Sequence, residues 1–309
     1  MTHTARLIED LGLEASDTEF FRSAEFFAAE GVTHTLAIGD AMRVPVIVRE
    51  IEGAGRVDGI SPYGYPGAHL LHPQAGGSEP LDPQQIDWSE TGLVSVFVRD
   101  RIGESRTFGG GTVRNVVQIA EGEDGIRKRL REQIRRNERR GWEVRFATGP
   151  EDAAALTAFK YAYDETMART GAAQRYLYPH EYFETLLKGS GCWLLVAERE
   201  GRRLAGALAV LSDRYLHYYL GGTADDALGD SPMKNLFAAM IKLGSELGVP
   251  VNLGGGLSPG DSLEDFKRGF AGGEEPFRTH ELVGDLVAYE ELVAQSGPAP
   301  EGFFPAYRS

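Results

Sequence analysis

The chain has 309 residues, 42% of them hydrophobic and 25% charged, with a formal net charge of −14. That length admits one large domain or two of about 150 residues. No apolar run approaches the ~18 residues that span a bilayer, the acid-bearing N-terminus lacks the apolar core of a signal peptide, and Cys192 is the sole cysteine, which excludes an intrachain disulfide. A reducing, cytoplasmic setting without membrane insertion is therefore expected. The negative total also excludes a whole-molecule electrostatic footprint for nucleic acid. The charge is uneven, however: Arg127 to Arg145 carries nine cations against three carboxylates, +6 locally and −20 elsewhere.

Taken in order, residues 1–15 read as a loosely held arm. Thr18–Glu30 places Phe20, Phe21, Phe26 and Phe27 at helical spacing. Thr33–Ile38 and Arg43–Glu50 read as paired strands around a Gly39-Asp40 turn, and Arg56–Ile60 as a third. Ser61–Gly67 (SPYGYPG) is a rigid loop, and its Tyr63 and Tyr65 either cover the core or present phenols to a ligand. A polar excursion follows, with a short helix expected at Pro83–Trp88, then a strong strand at Gly92–Val98 that ends at Asp100. Arg114–Ile119 is another strand. Glu123–Gly141 predicts an amphipathic helix with an Ile126/Leu130/Ile134 stripe and seven arginines, more than solubility needs. Arg131, Arg135 and Arg139 are its candidates for phosphate contact.

From Trp142 the order is strand, helix (Asp152–Arg169), helix (Pro179–Leu187), three strands (Cys192–Arg199, Arg203–Leu211, Tyr215–Gly221), helix (Pro232–Leu247) and a short strand (Val249–Leu253). Three glycines, Gly254 to Gly256, come next, and Gly255 admits a close backbone or ligand approach because it has no Cβ. Ser258-Pro259-Gly260-Asp261 turns the chain, and Asp261 or Ser262 caps a helix carrying Phe266, Lys267, Arg268 and Phe270. Lysine is scarce here, 6 against 26 arginines. Lys267 reads either as a surface lysine beside a buried Phe266 or as a cation held by that ring in a catalytic wall. A closing strand at Thr279–Val287 and a Pro-rich tail end the chain.

LGGG followed by SLEDFKRGF resembles the C-terminal signature of the FemABX family, transferases with two GNAT-type acyltransferase domains that use aminoacyl-tRNA. SPYGYPG, the basic helix and LHYYLGGT at Leu216–Thr223 echo the family in the same order. The resemblance implies two GNAT-like α/β domains packed around a cleft, a degenerate one at 1–145 ending in the basic helix and a second at 146–309. It implies aminoacyl transfer to the amine of a peptide, peptidyl natural product or peptidoglycan precursor. Lys267 and Phe266 would form the catalytic pair, with Asp100 near the position of an acidic site residue. Tyr63, Tyr65, Arg169 and Tyr218 would line the acceptor. Charged tRNA is then a co-substrate and no cofactor is implied. The coiled-coil insertion and the early nucleotide-binding stretch of some members are absent.

The residues themselves narrow the chemistry. There is no G-x-S-x-G elbow, Cys192 falls in an expected strand, and the seven histidines show no metal spacing, so direct attack by the acceptor amine is expected. In acyl-CoA GNAT enzymes the loop before the third helix cradles a pyrophosphate. The matching loop, Thr223–Asp230, has three carboxylates and no cation, which argues against coenzyme A. An acyl-CoA N-acyltransferase is the second reading and a non-catalytic RNA-binding module the third.

Overall fold

The computed structural model describes residues 2–9, 11, 19–40, 42–71, 80–103, 107–147 and 152–309. In chain order the elements begin with β1 (His3–Ile8), a 3-10 turn at Phe20–Arg22, α1 (Ala24–Glu30), β2 (His34–Ile38), β3 (Met42–Ile51) and β4 (Arg56–Ile60). Next come β5 (His69–Leu70), β6 (Ile86–Glu90), β7 (Leu93–Arg99), β8 (Thr112–Ala120), α2 (Lys128–Arg139), β9 (Glu143–Ala147), α3 (Ala153–Thr170) and α4 (His180–Leu186). The remainder are β10 (Cys192–Arg199), β11 (Arg202–Ser212), β12 (Tyr215–Thr223), α5 (Met233–Leu247), β13 (Val251–Asn252), α6 (Ser262–Arg268), β14 (Gly273–Val283) and α7 (Leu286–Ser296).

Two compact units are present. The first holds β1, residues 30–114 and residues 276–309. Its strands run β6-β1-β2-β3-β4-β7-β14, with the β1–β6 and β4–β7 pairs parallel and the others antiparallel. Leu36, Ile38, Val44, Val96, Val98 and Phe108 fill its core. The expected loose arm is instead β1, because Ala5 is fully buried and Arg6 pairs with Glu90 at 2.6 Å; residues 12–15 lie outside the described ones. The expected Pro83 helix is a single 3-10 turn capped by Asp82.

The expected closing strand is β14, which begins earlier, at Gly273, and stops at Val283, and a helix stands where the tail was expected. Asp285 accepts a hydrogen bond from Ala288 N–H at 2.9 Å and starts α7. Gly284 and Asp285 break the apolar pattern after Val283, and Leu286 and Val287 are solvent-exposed on the helix. The C-terminus is tied down at Asp58, which is fully buried and accepts from Arg49, Arg308 and the Tyr307 hydroxyl at 2.9, 2.6 and 3.1 Å.

The second unit takes the 3-10 turn, α1 up to Ala29, and residues 115–275. Its strand order is β8-β13-β12-β11-β10-β9, antiparallel except for β12–β13. The unit boundary thus falls at 114/115, and not at the expected 145/146. The reason is pairing at long sequence separation: β8 pairs with β13, and Asn137 on α2 donates to Asn235 on α5 at 2.8 Å, which builds the basic helix into this unit. Phe237, Met240, Ile241, Leu253 and Phe270 pack its core.

Candidate functional site

The glycine turn after β13 is held from three sides within the second unit. His217 Nε2 donates to Ser212 O at 3.1 Å, Asn252 Nδ2 donates to His217 Nδ1 at 3.1 Å, and Asn252 Oδ1 accepts from Gly254 N–H at 2.8 Å. His217 and Asn252 are fully buried, and burial lowers the His217 pKa to about 4, so the ring is neutral and the chain is fully bonded. Gln118 on β8 clamps both flanks, donating to Gly254 O and accepting from Leu253 N–H. Neither His217 nor Asn252 carries a sequence signal for this role, since the bonds join residues 212, 217, 252 and 254.

Asp261 caps α6, as one of the two candidates. Its Oδ1 accepts from Glu264 N–H at 2.8 Å, while Oδ2 accepts from Leu257 and Ser258 N–H at 2.7 and 3.0 Å. These amides hold its carboxyl below the usual range. The capped helix brings Lys267 inward. Lys267 is 6% exposed, and its Nζ donates to Gly255 O at 2.8 Å. It lies 5.4 Å from the centre of the Tyr218 ring. Burial lowers its pKa from 10.5 to about 8, opposed by the field of Asp261. Among the described residues it has no carboxylate partner within ion-pair range.

The aromatic partner of the cation is therefore Tyr218, where Phe266 was expected. Phe266 packs on Phe237 and Phe270, with ring centres 5.5 and 5.4 Å apart, and Phe237 in turn packs on Tyr218 at 5.0 Å. Strand alternation separates Tyr218 from Tyr219. Tyr219 is buried among Phe20, Phe21 and Phe26 and bonds the Tyr182 hydroxyl at 2.9 Å. Burial raises the Tyr218 pKa to about 12, so its phenol stays neutral.

A Cβ on Gly255 would stand 2.8 Å from both Asn115 Nδ2 and Val116 O, and one on Gly256 would stand 2.4 Å from Asp261 Oδ1. Both positions require glycine. Cys192 is buried, and burial pushes its thiol pKa upward, away from nucleophilic use.

Arg169 lies at the C-terminal end of α3. It pairs with Asp225, donates to Thr166 Oγ1 at 3.1 Å and reaches Thr223 O at 3.4 Å. That contact belongs to a wider pattern. Asp226 pairs with Arg202 at 2.5 Å, and Asp230 pairs with Arg199 and with Arg140 at 2.7 Å and accepts from Trp142 Nε1 at 3.1 Å. Each carboxylate of the Thr223–Asp230 loop thus meets an arginine from another element, so the loop is not the bare anionic surface that its sequence suggests. On α2, Arg135 and Arg139 are exposed and Arg131 is half-buried. None of the three takes part in an ion pair among the described residues.

The other expected residues lie in the first unit. Asp100 is buried and its carboxylate accepts from Arg101 N–H, the Thr107 hydroxyl and His280 Nε2 at 2.9, 3.1 and 3.2 Å. Tyr63 N–H donates to Glu30 Oε2 at 2.8 Å, and the Tyr65 ring meets Phe277 edge-on at 5.0 Å. Both tyrosines are half-buried.

Residues 125–268 match the acetyltransferase (GNAT) domain family. The structure of FemX superposes with a TM-score of 0.64 at 11% identity, covering 92% of this chain and 96% of FemX. The chain has a FemX-like fold. It is mixed α/β with a GNAT domain in its second unit. The C-terminal domain of an Agrobacterium fabrum protein provisionally named a lysylphosphatidylglycerol synthetase superposes at 0.55, with 13% identity and 93% of each chain covered. L-PGS from Bacillus licheniformis superposes at 0.54, with 14% identity, covering 87% of this chain and 94% of that one. Sequence comparison with curated proteins finds no match. Among the described residues no helix is long and apolar enough to cross a membrane.

Proposed function

We propose that this chain is an acyltransferase that moves an aminoacyl group from a charged tRNA to the amine of a peptide-like acceptor, without a covalent enzyme intermediate. One observation carries the reading: among the described residues Lys267 is a buried ammonium whose contacts are neutral groups, the Gly255 carbonyl and the Tyr218 ring, beside a side-chain-free turn. Such a cation, with no directly paired carboxylate and only the field of Asp261 to offset its burial, gains most when negative charge develops on a neighbouring oxygen.

In the reaction the amine nitrogen attacks the ester carbonyl. A C–N bond forms, the carbonyl oxygen becomes an oxyanion facing Lys267, and the C–O bond to the ribose breaks. The attacking amine loses a proton and the ribose oxygen gains one. Since Asp100 already accepts three hydrogen bonds, the ribose hydroxyls of the donor are the favoured route for that proton, with Asp100 second. Arg131, Arg135 and Arg139 would meet the tRNA phosphates. Tyr63, Tyr65, Arg169 and Tyr218 would meet the acceptor, and the cytoplasm, where charged tRNA is available, is the proposed compartment.

The test is incubation with a mixture of charged tRNAs and cell extract, reading aminoacyl mass increments on small molecules, peptides and lipids. Increments that depend on charged tRNA and vanish with Lys267→Met support the reading, and their absence with every charged tRNA refutes it. A second reading, acyl-CoA-dependent N-acylation, is favoured by the matched GNAT family and by the arginine-neutralised Thr223–Asp230 loop. Calorimetric titration with acetyl-CoA separates the two, and micromolar affinity would put this second reading first.

A further inference from the structure

On β8, next to the glycine turn, stands a polar side chain that the reading above leaves unused. Asn115 is half-buried, and the carboxamide comes within 2.8 Å of where a Gly255 Cβ would be. Its Oδ1 is buried without a hydrogen-bond partner, and its Nδ2 meets no acceptor among the described residues. A buried amide oxygen left unbonded is uncommon and calls for a reason. Here the acceptor end is sacrificed while the donor end is turned toward Gly255, whose carbonyl already binds Lys267 Nζ at 2.8 Å. The Asn115 carboxamide and the Lys267 ammonium thus both adjoin Gly255.

Spare N–H donors beside a buried cation complement an oxygen that carries or develops negative charge. We propose that Asn115 is a second donor to the carbonyl oxygen of the transferred acyl group, paired with Lys267. The inference rests on the acyl-transfer reading and deepens it, by adding a catalytic residue and by giving the glycine at 255 a purpose. Only a residue without Cβ lets the carboxamide stand beside the lysine-bound carbonyl. The ammonium would supply charge and the carboxamide direction, so that the oxyanion meets two donors from two different elements, β8 and α6. In the acyl-transfer step itself Asn115 neither gains nor loses a proton; it donates hydrogen bonds to the oxygen as the C–N bond forms and the C–O bond breaks.

Asn115→Asp keeps the shape and removes both donors; Asn115→Leu keeps the volume and removes all polarity. With the full chain, charged tRNA and the acceptor found by the mass-increment experiment, each variant is expected to lose about 100-fold in single-turnover rate, in the range typical of a lost oxyanion donor. Acceptor KM and tRNA affinity are expected to stay within about twofold, because the contact strengthens only in the transition state. A readout independent of turnover is the affinity for a phosphonate mimic of the tetrahedral intermediate built on a tRNA 3′-terminal adenosine. It is expected to fall with the rate in both variants.

A wild-type rate and wild-type mimic affinity in Asn115→Asp would overturn the inference while leaving aminoacyl transfer standing. Loss of rate with unchanged mimic affinity would also overturn it, because the role would then be structural. Should Asn115→Leu fail to fold, the isosteric Asp variant decides alone, and unfolding of both would likewise assign Asn115 to the fold. If the wild-type protein neither transfers from charged tRNA nor binds the mimic, the functional reading falls and takes this inference with it.

Discussion

Replacing Lys267 with Met separates what the buried cation does for rate from what it does to stability, because the two effects have opposite signs. Met keeps an unbranched stem of similar volume and removes the charge. Holding an ammonium at a pKa of about 8 in place of 10.5 costs the fold about 3 kcal/mol at neutral pH, at 1.36 kcal/mol for each pH unit. The Gly255 hydrogen bond that Met forfeits is worth about 1 kcal/mol. Lys267→Met is thus expected to be more stable than the wild type by about 2 kcal/mol at pH 7.

Between pH 8 and 10.5 the unfolded chain binds more protons than the folded one, so wild-type stability rises with pH across that window. The penalty is fully present below pH 8 and gone above 10.5. The variant lacks this rise. The rate moves the other way. Loss of one oxyanion donor lowers kcat by roughly 10²–10³, and wild-type kcat is expected to fall about tenfold for each pH unit above 8 as the ammonium titrates. Single-turnover transfer and urea unfolding, both followed from pH 7 to 10, give the two curves. A folded variant within tenfold of wild-type kcat, or one less stable at pH 7, would refute the reasoning.

Replacing Arg131, Arg135 and Arg139 together with Ala is expected to weaken tRNA binding and to reduce the slope of log K against log salt by about 2 to 3; an unchanged slope in filter binding removes α2 from the RNA surface. Arg169→Ala is expected to raise the acceptor KM, at a stability cost within about 1 kcal/mol because the Asp225 pair is partly exposed. An unchanged KM removes Arg169 from the acceptor site. Asp58→Ala strands Arg49 and Arg308 and is expected to destabilise the first unit by about 3 kcal/mol, and a urea midpoint equal to wild type would show that the C-terminal residues are not held through this carboxylate.

Much of this protein is legible in its sequence because the signals involved are local. Alternating and 3.6-residue patterns mark β2, β3, β7, β10 to β12, α3 and α5 close to their observed bounds. The Asp261 cap, the glycines at 254 to 256 and Lys267 sit within 14 residues of one another, so the turn, the helix and the candidate cation could be named together. What the tertiary structure alone decided lies at long sequence separation. Lys267 meets the Tyr218 ring 49 residues away, and Phe266 belongs to the core instead. The acidic loop at 223–230 is neutralised by Arg140, Arg169, Arg199 and Arg202, none of them in the loop. The unit boundary follows strand pairing, β8 to β13 and β14 to β7, and not composition. A pattern along the chain reports which face of an element is apolar. It carries no record of which distant partner satisfies a charge or an amide, because that depends on where folding brings the two together.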